Sequence, residues 1–144
     1  RINWPMKVIL VSDDEAKRHA FAASTLALTK SGTVTLELAM AGVPMIVTYK
    51  ASRLTASMLQ KMLRIKYVCL VNLLLDKPLV PELLQEDCEP KKLLTAIETL
   101  MTNPKLRQLQ VEGSREAIAL LRGTNPDSPS EQAADIVLAK MENL

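Results

Sequence analysis

The sequence predicts a three-layer α/β fold, in which helices cover a parallel sheet of about four strands and a helical C-terminal tail follows. Two observations support this prediction. Short β-rich runs alternate with helical patterns over the first half of the 144 residues, which is typical of a parallel sheet. Helical patterns fill the second half. Because 48% of the residues are hydrophobic, the chain can also bury a core.

Four short apolar runs predict the strands of the sheet. They are Met6–Val11, Thr25–Thr29, Met45–Tyr49 and Tyr67–Val71. A complete doubly wound nucleotide-binding domain has about six strands, so we expect this chain to be the later half of such a domain. The first strand then has an open edge, which predicts a homo-oligomer if the piece stands alone. Because the chain begins with Arg1 rather than Met, we expect it to be part of a longer protein.

Start and stop signals predict the helices. In the first half, one helix follows Asp13 and Asp14, a second spans Thr33–Ala41 and ends at Gly42, and a basic amphipathic helix spans about Leu54–Ile65. In the second half, a proline opens three helices and a serine opens the last. These helices are Pro81–Glu86, Pro90–Met101, Pro104–Leu121 and Ser130–Asn143.

The composition argues against several classes of function. Aromatic residues make up 3% of the chain, which is too few for a platform that stacks single-stranded nucleic acid. One His and two Cys are too few for a zinc site built from these residue types. A dinucleotide-binding reductase is weakly supported because no G-x-G-x-x-G motif occurs. No apolar run reaches the roughly 18 residues of a membrane-spanning helix. Cys69 and Cys88 have no recognised pair spacing and indicate a reducing cytosol.

Positive charge is concentrated in one segment of a nearly neutral chain. Five basic residues lie from Lys50 to Lys66, and no acid occurs between Glu37 and Asp76. Removing these five from the 18 basic residues leaves 13, against 16 acidic residues in the chain. A basic segment on an acidic body favours phosphate groups, either of a ligand or of a lipid surface.

The basic segment has two interpretations, which the sequence leaves open. In the first, an amphipathic helix covers the sheet and its basic rim is solvated. In the second, its cations contact anionic lipid head groups or an acylated substrate at a membrane surface. The candidate residues for that contact are Arg53, Lys61 and Arg64.

The motif Ser31-Gly32-Thr33, placed between a predicted strand and a predicted helix, is the sharpest chemical feature. Glycine lets a ligand approach the backbone, and the first N–H groups of a helix lack internal acceptors, so an anion can bind there. Glu37 lies one turn further on the same helix face and could accept both hydroxyls of a ribose. The alternative is that Ser31 or Thr33 merely caps the helix while Glu37 lies at the surface.

Two stretches that contain this motif resemble the C-terminal region of bacterial lipid-A-disaccharide synthases. They are ALTKSGTVTLELAMAGVPMIVTYK and KMLRIKYVCLVNLLLDKPLVPELLQEDCEP. The resemblance implies a glycosyltransferase with two Rossmann-like domains facing a cleft, the C-terminal one holding most of the sugar nucleotide. Residues 1–89 would then be a partial UDP-sugar-binding domain. Residues 90–144 would be C-terminal helices that pack on the same domain.

The resemblance also implies roles for individual residues. Ser31, Gly32 and Thr33 would contact the diphosphate of UDP, and Glu37 would contact its ribose.

Three further substrate-binding residues follow from the second stretch. Asn72 matches the family's asparagine that faces the cleft, here placed at the end of a strand, and Glu82 and Gln85 match a nearby polar pair. The sequence departs from the family pattern at Val71, where Pro is usual, and at Asp76, where Gly is common.

The activity implied by the resemblance is an inverting hexosyl transfer in lipid A biosynthesis. A diacylglucosamine would move from UDP-2,3-diacylglucosamine to the 6-hydroxyl of diacylglucosamine 1-phosphate. The enzyme would be cytoplasmic and peripheral on the inner face of the bacterial inner membrane, with no metal and no cofactor beyond its UDP-sugar donor.

The catalytic residues are expected outside this chain. His19 is the only imidazole and, because it lies beside Lys17 and Arg18, it is expected at a solvated helix position. The general base is therefore expected in the preceding domain. The fragment alone is expected to be inactive. A second interpretation stays open, in which the chain is a non-catalytic, helix-rich interaction or oligomerisation domain and Ser31 to Glu37 is only a capped helix.

Overall fold

A computed structural model describes residues 5–51, 66–122 and 128–141 of the chain. Six α-helices, three strands and one 3₁₀ helix occur in these ranges. In chain order they are α1 (Asp14–Ala22), β1 (Ala27–Lys30), α2 (Val34–Met40), β2 (Met45–Tyr49), α3 (Leu70–Leu75), β3 (Glu82–Leu84), the 3₁₀ helix Gln85–Asp87, α4 (Pro90–Thr102), α5 (Pro104–Arg122) and α6 (Pro129–Met141). The predicted basic helix Leu54–Ile65 lies outside the described residues.

The three described strands form one parallel sheet in the order β1-β2-β3. In the register, Ala27 is opposite Met45, and Val47 is opposite Glu82. The predicted α/β class with a parallel sheet is therefore confirmed. The described part of the chain contains three strands, however, rather than about four.

The predicted strand Met6–Val11 is wrong. This run is irregular, and all of its side chains are exposed, Leu10 to 93%. A β-rich composition forms a strand only where a neighbouring strand and a buried face support it. β1 pairs with β2 along one edge, and no described residue pairs with its other edge.

Two further predictions are wrong in opposite directions. Tyr67–Val71 was predicted as a strand, but α3 begins within it, at Leu70. Pro81–Glu86 was predicted as a helix, but it contains β3. The physical reason is that the Val47 N–H donates to the Pro81 carbonyl at 2.9 Å, which aligns the following residues with β2. A helix start and an extended run that follows a proline have similar local signals, and the ladder with β2 decides between them.

The core lies where α2, α3 and α5 pack together against the sheet. Met45, Ile46 and Val47 are consecutive in β2 and each is fully buried. Successive side chains of a strand point to opposite faces, so both faces of β2 are covered. The Met45 N–H also donates to Oε1 of the buried Gln110 at 2.9 Å, which ties α5 to the start of β2.

Gly42 ends α2, as predicted. Its φ of +69° places it in the left-handed region, where glycine has no steric penalty. The Gly42 N–H donates to the Ala39 carbonyl at 3.1 Å and the Val43 N–H donates to the Leu38 carbonyl at 3.0 Å. These two bonds form a Schellman motif, which satisfies the last carbonyls of the helix.

Asp76 ends α3 in the same way but without a glycine. Its φ is +47°, its N–H donates to the Leu73 carbonyl at 3.4 Å, and the Lys77 N–H donates to the Asn72 carbonyl at 3.2 Å. The position at which Gly is expected to be common in the resembled family is therefore a left-handed helix end. Val71 lies in the first turn of α3, where a proline would also be tolerated because its missing N–H would have no helical partner.

The C-terminal helices occur close to their predicted positions. α4 and α5 begin at the predicted prolines, and α6 begins one residue before the predicted Ser130. Within the three described ranges, no helix combines the length and apolarity that crossing a membrane requires.

We expect Asp76→Gly to be more stable than Asp76→Ala by about 1 kcal/mol, because only glycine adopts φ near +47° without a Cβ penalty. Both variants lose the exposed ion pair between Asp76 Oδ1 and Lys66 Nζ (2.9 Å), so that loss cancels in the comparison. Urea unfolding of the two variants measures the difference. Equal stabilities would contradict the left-handed assignment.

We expect Cys69 to be unreactive in the folded chain and Cys88 to be reactive. Cys69 is fully buried, and burial raises the pKa of its thiol, whereas Cys88 is partly exposed. The thiolate is the reactive form, so at about pH 8 one thiol should react rapidly in the native chain and two after unfolding. Cys88→Ser should abolish the rapid reaction. A rapid reaction of both thiols in the native state would show that Cys69 is not buried.

The same raised pKa predicts a loss of stability at alkaline pH. The contribution of Cys69 to stability should be complete below about pH 8.5, the thiol pKa of an unfolded chain, and should fall as pH rises towards the higher native pKa. Urea unfolding at a series of alkaline pH values measures this loss, and an unchanged stability would contradict the raised native pKa.

Candidate functional site

The candidate site lies at the carboxyl edge of the sheet, where open α/β folds bind their ligands. Ser31 follows β1, Lys50 follows β2 and Gln85 follows β3. The Ala51 N–H donates to Gln85 Oε1 at 3.3 Å and so joins the segments after β2 and β3. Gln85 has a φ of +50°, so the chain turns sharply at this edge.

The turn after β1 presents open hydrogen-bond donors. Gly32 has a φ of +147°, and a Cβ at its position would have no heavy atom within 4 Å. Thr33 is exposed and its side chain makes no capping hydrogen bond. The N–H groups of Thr33 and Val34 have no acceptor among the described residues. Two N–H groups and one hydroxyl are thus available beside a glycine with nothing packed against it.

The capping interpretation of this motif is wrong for both candidate residues. Thr33 occupies the N-cap position without a capping bond from its side chain. The Ser31 hydroxyl donates instead to the Val68 carbonyl at 2.7 Å, across 37 residues of sequence. A different hydroxyl, that of Thr35, donates to the Gly32 carbonyl at 2.7 Å and holds the turn from within the helix.

A hollow of about 300 Å³ lies beside this turn and is lined by Lys30, Ser31, Tyr49 and Val68. The Lys30 Nζ stands 5.1 Å from the centroid of the Tyr49 ring, within the range of a cation–π contact. Sequence reasoning did not identify Lys30 and Tyr49 as residues that line this hollow. The available signal was their position, since each is the last residue of a parallel strand and such ends share one edge.

Glu37 faces α1, one turn along α2 from Thr33. Its Oε2 lies 2.9 Å from Lys17 Nζ, and the same ammonium lies 3.1 Å from Asp14 Oδ1. The hydrogen bond to Glu37, followed by that to Asp14, raises the pKa of Lys17. Glu37 and Lys17 line a cavity of about 520 Å³ between α1 and α2, with Phe21 on its wall. The Glu37 side chain is 41% exposed, so a ligand can reach it.

Asn72 and Glu82 belong to an internal hydrogen-bond network. Asn72 is only 1% exposed. Its Nδ2 donates to the Val80 carbonyl and to Glu82 Oε1, both at 2.8 Å. Its Oδ1 accepts from the Val80 N–H, also at 2.8 Å. Glu82 also accepts from the N–H groups of Val68 and Cys69, each at 3.0 Å. The predicted placement of Asn72 at the end of a strand is wrong, because it lies inside α3 and pairs with the chain that leads into β3.

Three of the predicted site residues are therefore connected through one backbone segment. Val68 donates its N–H to Glu82 and accepts the Ser31 hydroxyl at its carbonyl, and Glu82 in turn binds Asn72. Gln85 lies at the same edge of the sheet but is joined to Ala51 instead. Glu37 lies apart from this network, beside α1.

The predicted lipid-contact residues Arg53, Lys61 and Arg64 lie outside the described residues. Lys66, which follows them, forms the ion pair with Asp76 and stands 5.0 Å from the centroid of the Tyr67 ring. Within the ranges that the structure describes, no three His, Cys, Asp or Glu side chains are grouped as metal ligands would be.

Comparisons with known proteins agree on one family. The family model described as "Lipid-A-disaccharide synthetase" matches residues 3–137. A lipid-A-disaccharide synthase of Rhodospirillum centenum is 45% identical over 136 residues, which are 94% of this chain and 34% of that protein. The synthase of Granulibacter bethesdensis is 52% identical over 101 residues, 70% of this chain and 26% of the relative.

A third relative gives the same picture over nearly the whole chain. The lipid-A-disaccharide synthase of Nitrobacter hamburgensis is 42% identical over 139 residues, 96% of this chain and 35% of the relative. The chain thus spans about a third of the length of these curated relatives. With the family model covering most of its residues, the chain belongs to the lipid-A-disaccharide synthase family.

Proposed function

We propose that the chain supplies part of the sugar-nucleotide site of an inverting hexosyltransferase in lipid A biosynthesis. The donor is UDP-2,3-diacylglucosamine and the acceptor is the 6-hydroxyl of diacylglucosamine 1-phosphate. Family membership supports the reaction class. The observation that supports the location of the site is the open turn after β1. There, Gly32 has nothing packed against it, and the N–H groups of Thr33 and Val34 have no described acceptor.

The turn suits a diphosphate for electrostatic reasons. In the reaction, the acceptor oxygen bonds to the anomeric carbon and loses its proton to a base, while the bond to the UDP oxygen breaks and its electron pair leaves with UDP. Fixed N–H and O–H donors stabilise the charge that develops on the leaving group. The exposed Lys30 ammonium at the same edge adds a positive charge.

Glu37 is the proposed ribose contact. Lys17 binds its Oε2, which leaves Oε1 to accept hydrogen bonds from the two ribose hydroxyls. Glu37 lies four residues after Thr33, so a nucleotide can contact both with its diphosphate at the turn and its ribose one helical turn away. Gln85 can contribute its Nε2 as a donor, since its Oε1 accepts from Ala51.

We further propose that the enzyme acts in the cytoplasm at the inner face of the inner membrane. The support is the charge pattern of the sequence: the segment from Lys50 to Lys66 is basic and free of acids. Each cation near an anionic membrane adds about 1 kcal/mol of binding, and acylated substrates reside at such a surface.

We expect Glu37→Ala to weaken UDP binding to the longer protein by about tenfold or more, because a carboxylate that accepts two hydroxyls is lost. Thr33→Val should weaken it about fivefold, because it removes one donor and keeps the shape. Calorimetric titration of UDP measures both, and Glu15→Ala, an exposed acid on α1, is the matched control. Unchanged affinity in both variants would favour a non-catalytic interaction or oligomerisation domain.

Neutralising Lys61 and Arg64 together should reduce binding to anionic vesicles by about tenfold, with a smaller effect at high salt. Co-sedimentation with vesicles that contain phosphatidylglycerol measures this, and Lys91→Gln on the described surface is a charge-matched control for one of the two cations. Vesicle binding that persists unaltered would support the solvated-rim interpretation of the segment.

A further inference from the structure

Part of the wall of the candidate site is backbone that is held by two side chains, the buried Asn72 and the partly buried Glu82. The segment Val68–Cys69 lies between the turn after β1 and the network behind it. Val68 lines the hollow beside Lys30 and Tyr49, and its carbonyl accepts the Ser31 hydroxyl at 2.7 Å. Its N–H donates to Glu82 Oε2 at 3.0 Å. One residue therefore contacts Ser31 through its carbonyl and Glu82 through its N–H.

The hydrogen bonds of Asn72 and Glu82 leave little capacity for a ligand. Both Nδ2 hydrogens of Asn72 are used, one by the Val80 carbonyl and one by Glu82 Oε1, and the residue is buried. Glu82 accepts from three N–H groups with its two oxygens. Charge-assisted bonds of this kind are stronger than those between neutral groups and restrict the geometry of their donors.

The hydroxyl of Ser31 is similarly committed. A serine hydroxyl has one hydrogen, and here it goes to the Val68 carbonyl, so it is not available to a phosphate oxygen. Ser31 instead fixes the residue that precedes Gly32 and Thr33. The open donors of the turn are thus oriented by a chain of contacts from Asn72 through Glu82, Val68 and Ser31.

We propose that Asn72, Glu82 and the Ser31 hydroxyl are positioning residues, which hold the turn at Gly32 and Thr33 in the geometry that binds a diphosphate, rather than groups that touch the substrate. This inference rests on the proposed function. Glu82 acts by fixing Val68 and Cys69, Asn72 by orienting Glu82, and Ser31 by joining the turn to Val68. A change in this network alters the diphosphate contact and leaves uridine recognition intact.

The test compares UDP with uridine as ligands of the longer protein. Glu82→Gln keeps the shape but places an amide N–H₂ opposite an N–H donor, so UDP affinity should fall about tenfold while uridine affinity changes less than about twofold. Glu86→Gln removes the same charge from an exposed position of the 3₁₀ helix and should change neither affinity. Equal losses for UDP and uridine would overturn the proposal.

A double-mutant cycle separates positioning from direct contact. Ser31→Ala should weaken UDP binding, and the Ser31→Ala/Glu82→Gln protein should bind UDP no more weakly than the weaker single variant, because both changes break one chain of contacts. Additive losses would show that the two residues contact the ligand independently and would overturn the proposal.

Two further measurements cover the remaining outcomes. If Glu82→Gln does not fold, Glu82→Asp takes its place, because it keeps the charge and shortens the side chain. Hydrogen exchange on the unaltered protein is a direct check. UDP should slow exchange of the Val68 N–H, and unchanged exchange would overturn the proposal. Gly32→Val tests the proposed site itself, because it should abolish UDP binding. If Gly32→Val binds UDP normally the proposed function fails, whereas loss in Gly32→Val with normal binding by Glu82→Gln overturns only the positioning role.

Discussion

The Glu82 carboxylate is the interaction on which the local architecture of this chain depends. It receives N–H donors from Val68, Cys69 and Asn72, and so connects β3 to the start of α3. Hydrogen bonds to a charged group stabilise by roughly 1.5–3 kcal/mol, and donors left unsatisfied in a buried place cost about as much. The same carboxylate makes a short helix begin where it does and keeps the end of β1 beside it through Val68 and Ser31.

The structure separates polar groups that build the framework from those that face outwards. Asn72, Gln110 and Thr35 are buried, and each makes a hydrogen bond to backbone. Surface ion pairs such as Lys77–Glu116 and Lys92–Asp87 are about half exposed, and pairs of that kind contribute little to stability. At the turn after β1, the N–H groups of Thr33 and Val34 have no acceptor among the described residues. In the proposed reaction, a rigid support behind these donors would favour electrostatic stabilisation of the leaving diphosphate, because the donors would need no reorganisation.

Much of the fold could be predicted from local sequence signals. β2 has its predicted bounds, Gly42 terminates α2, and α4 and α5 start at their prolines. These signals are local, because glycine readily adopts the left-handed conformation that ends a helix and proline fixes φ at a value that suits a first turn. The site motif was also located correctly between a strand and a helix. The hydrogen bonds of Ser31 and Asn72 could not be predicted. The partner of Ser31 is Val68 and the partners of Asn72 are Val80 and Glu82, and these lie 8 to 37 residues away in sequence.

By itself, the sequence determined the parallel α/β class, the family and the position of the turn at Gly32, because each depends on residue types within one short stretch. Only the tertiary structure decided that Leu70–Leu75 is a helix, that Glu82–Leu84 is a strand, and that the Met6–Val11 run is neither. Their apolar composition suits either state. The ladder with β2 and the hydrogen bonds of Asn72 and Glu82 select between the states, and such partners exist only once the chain has folded.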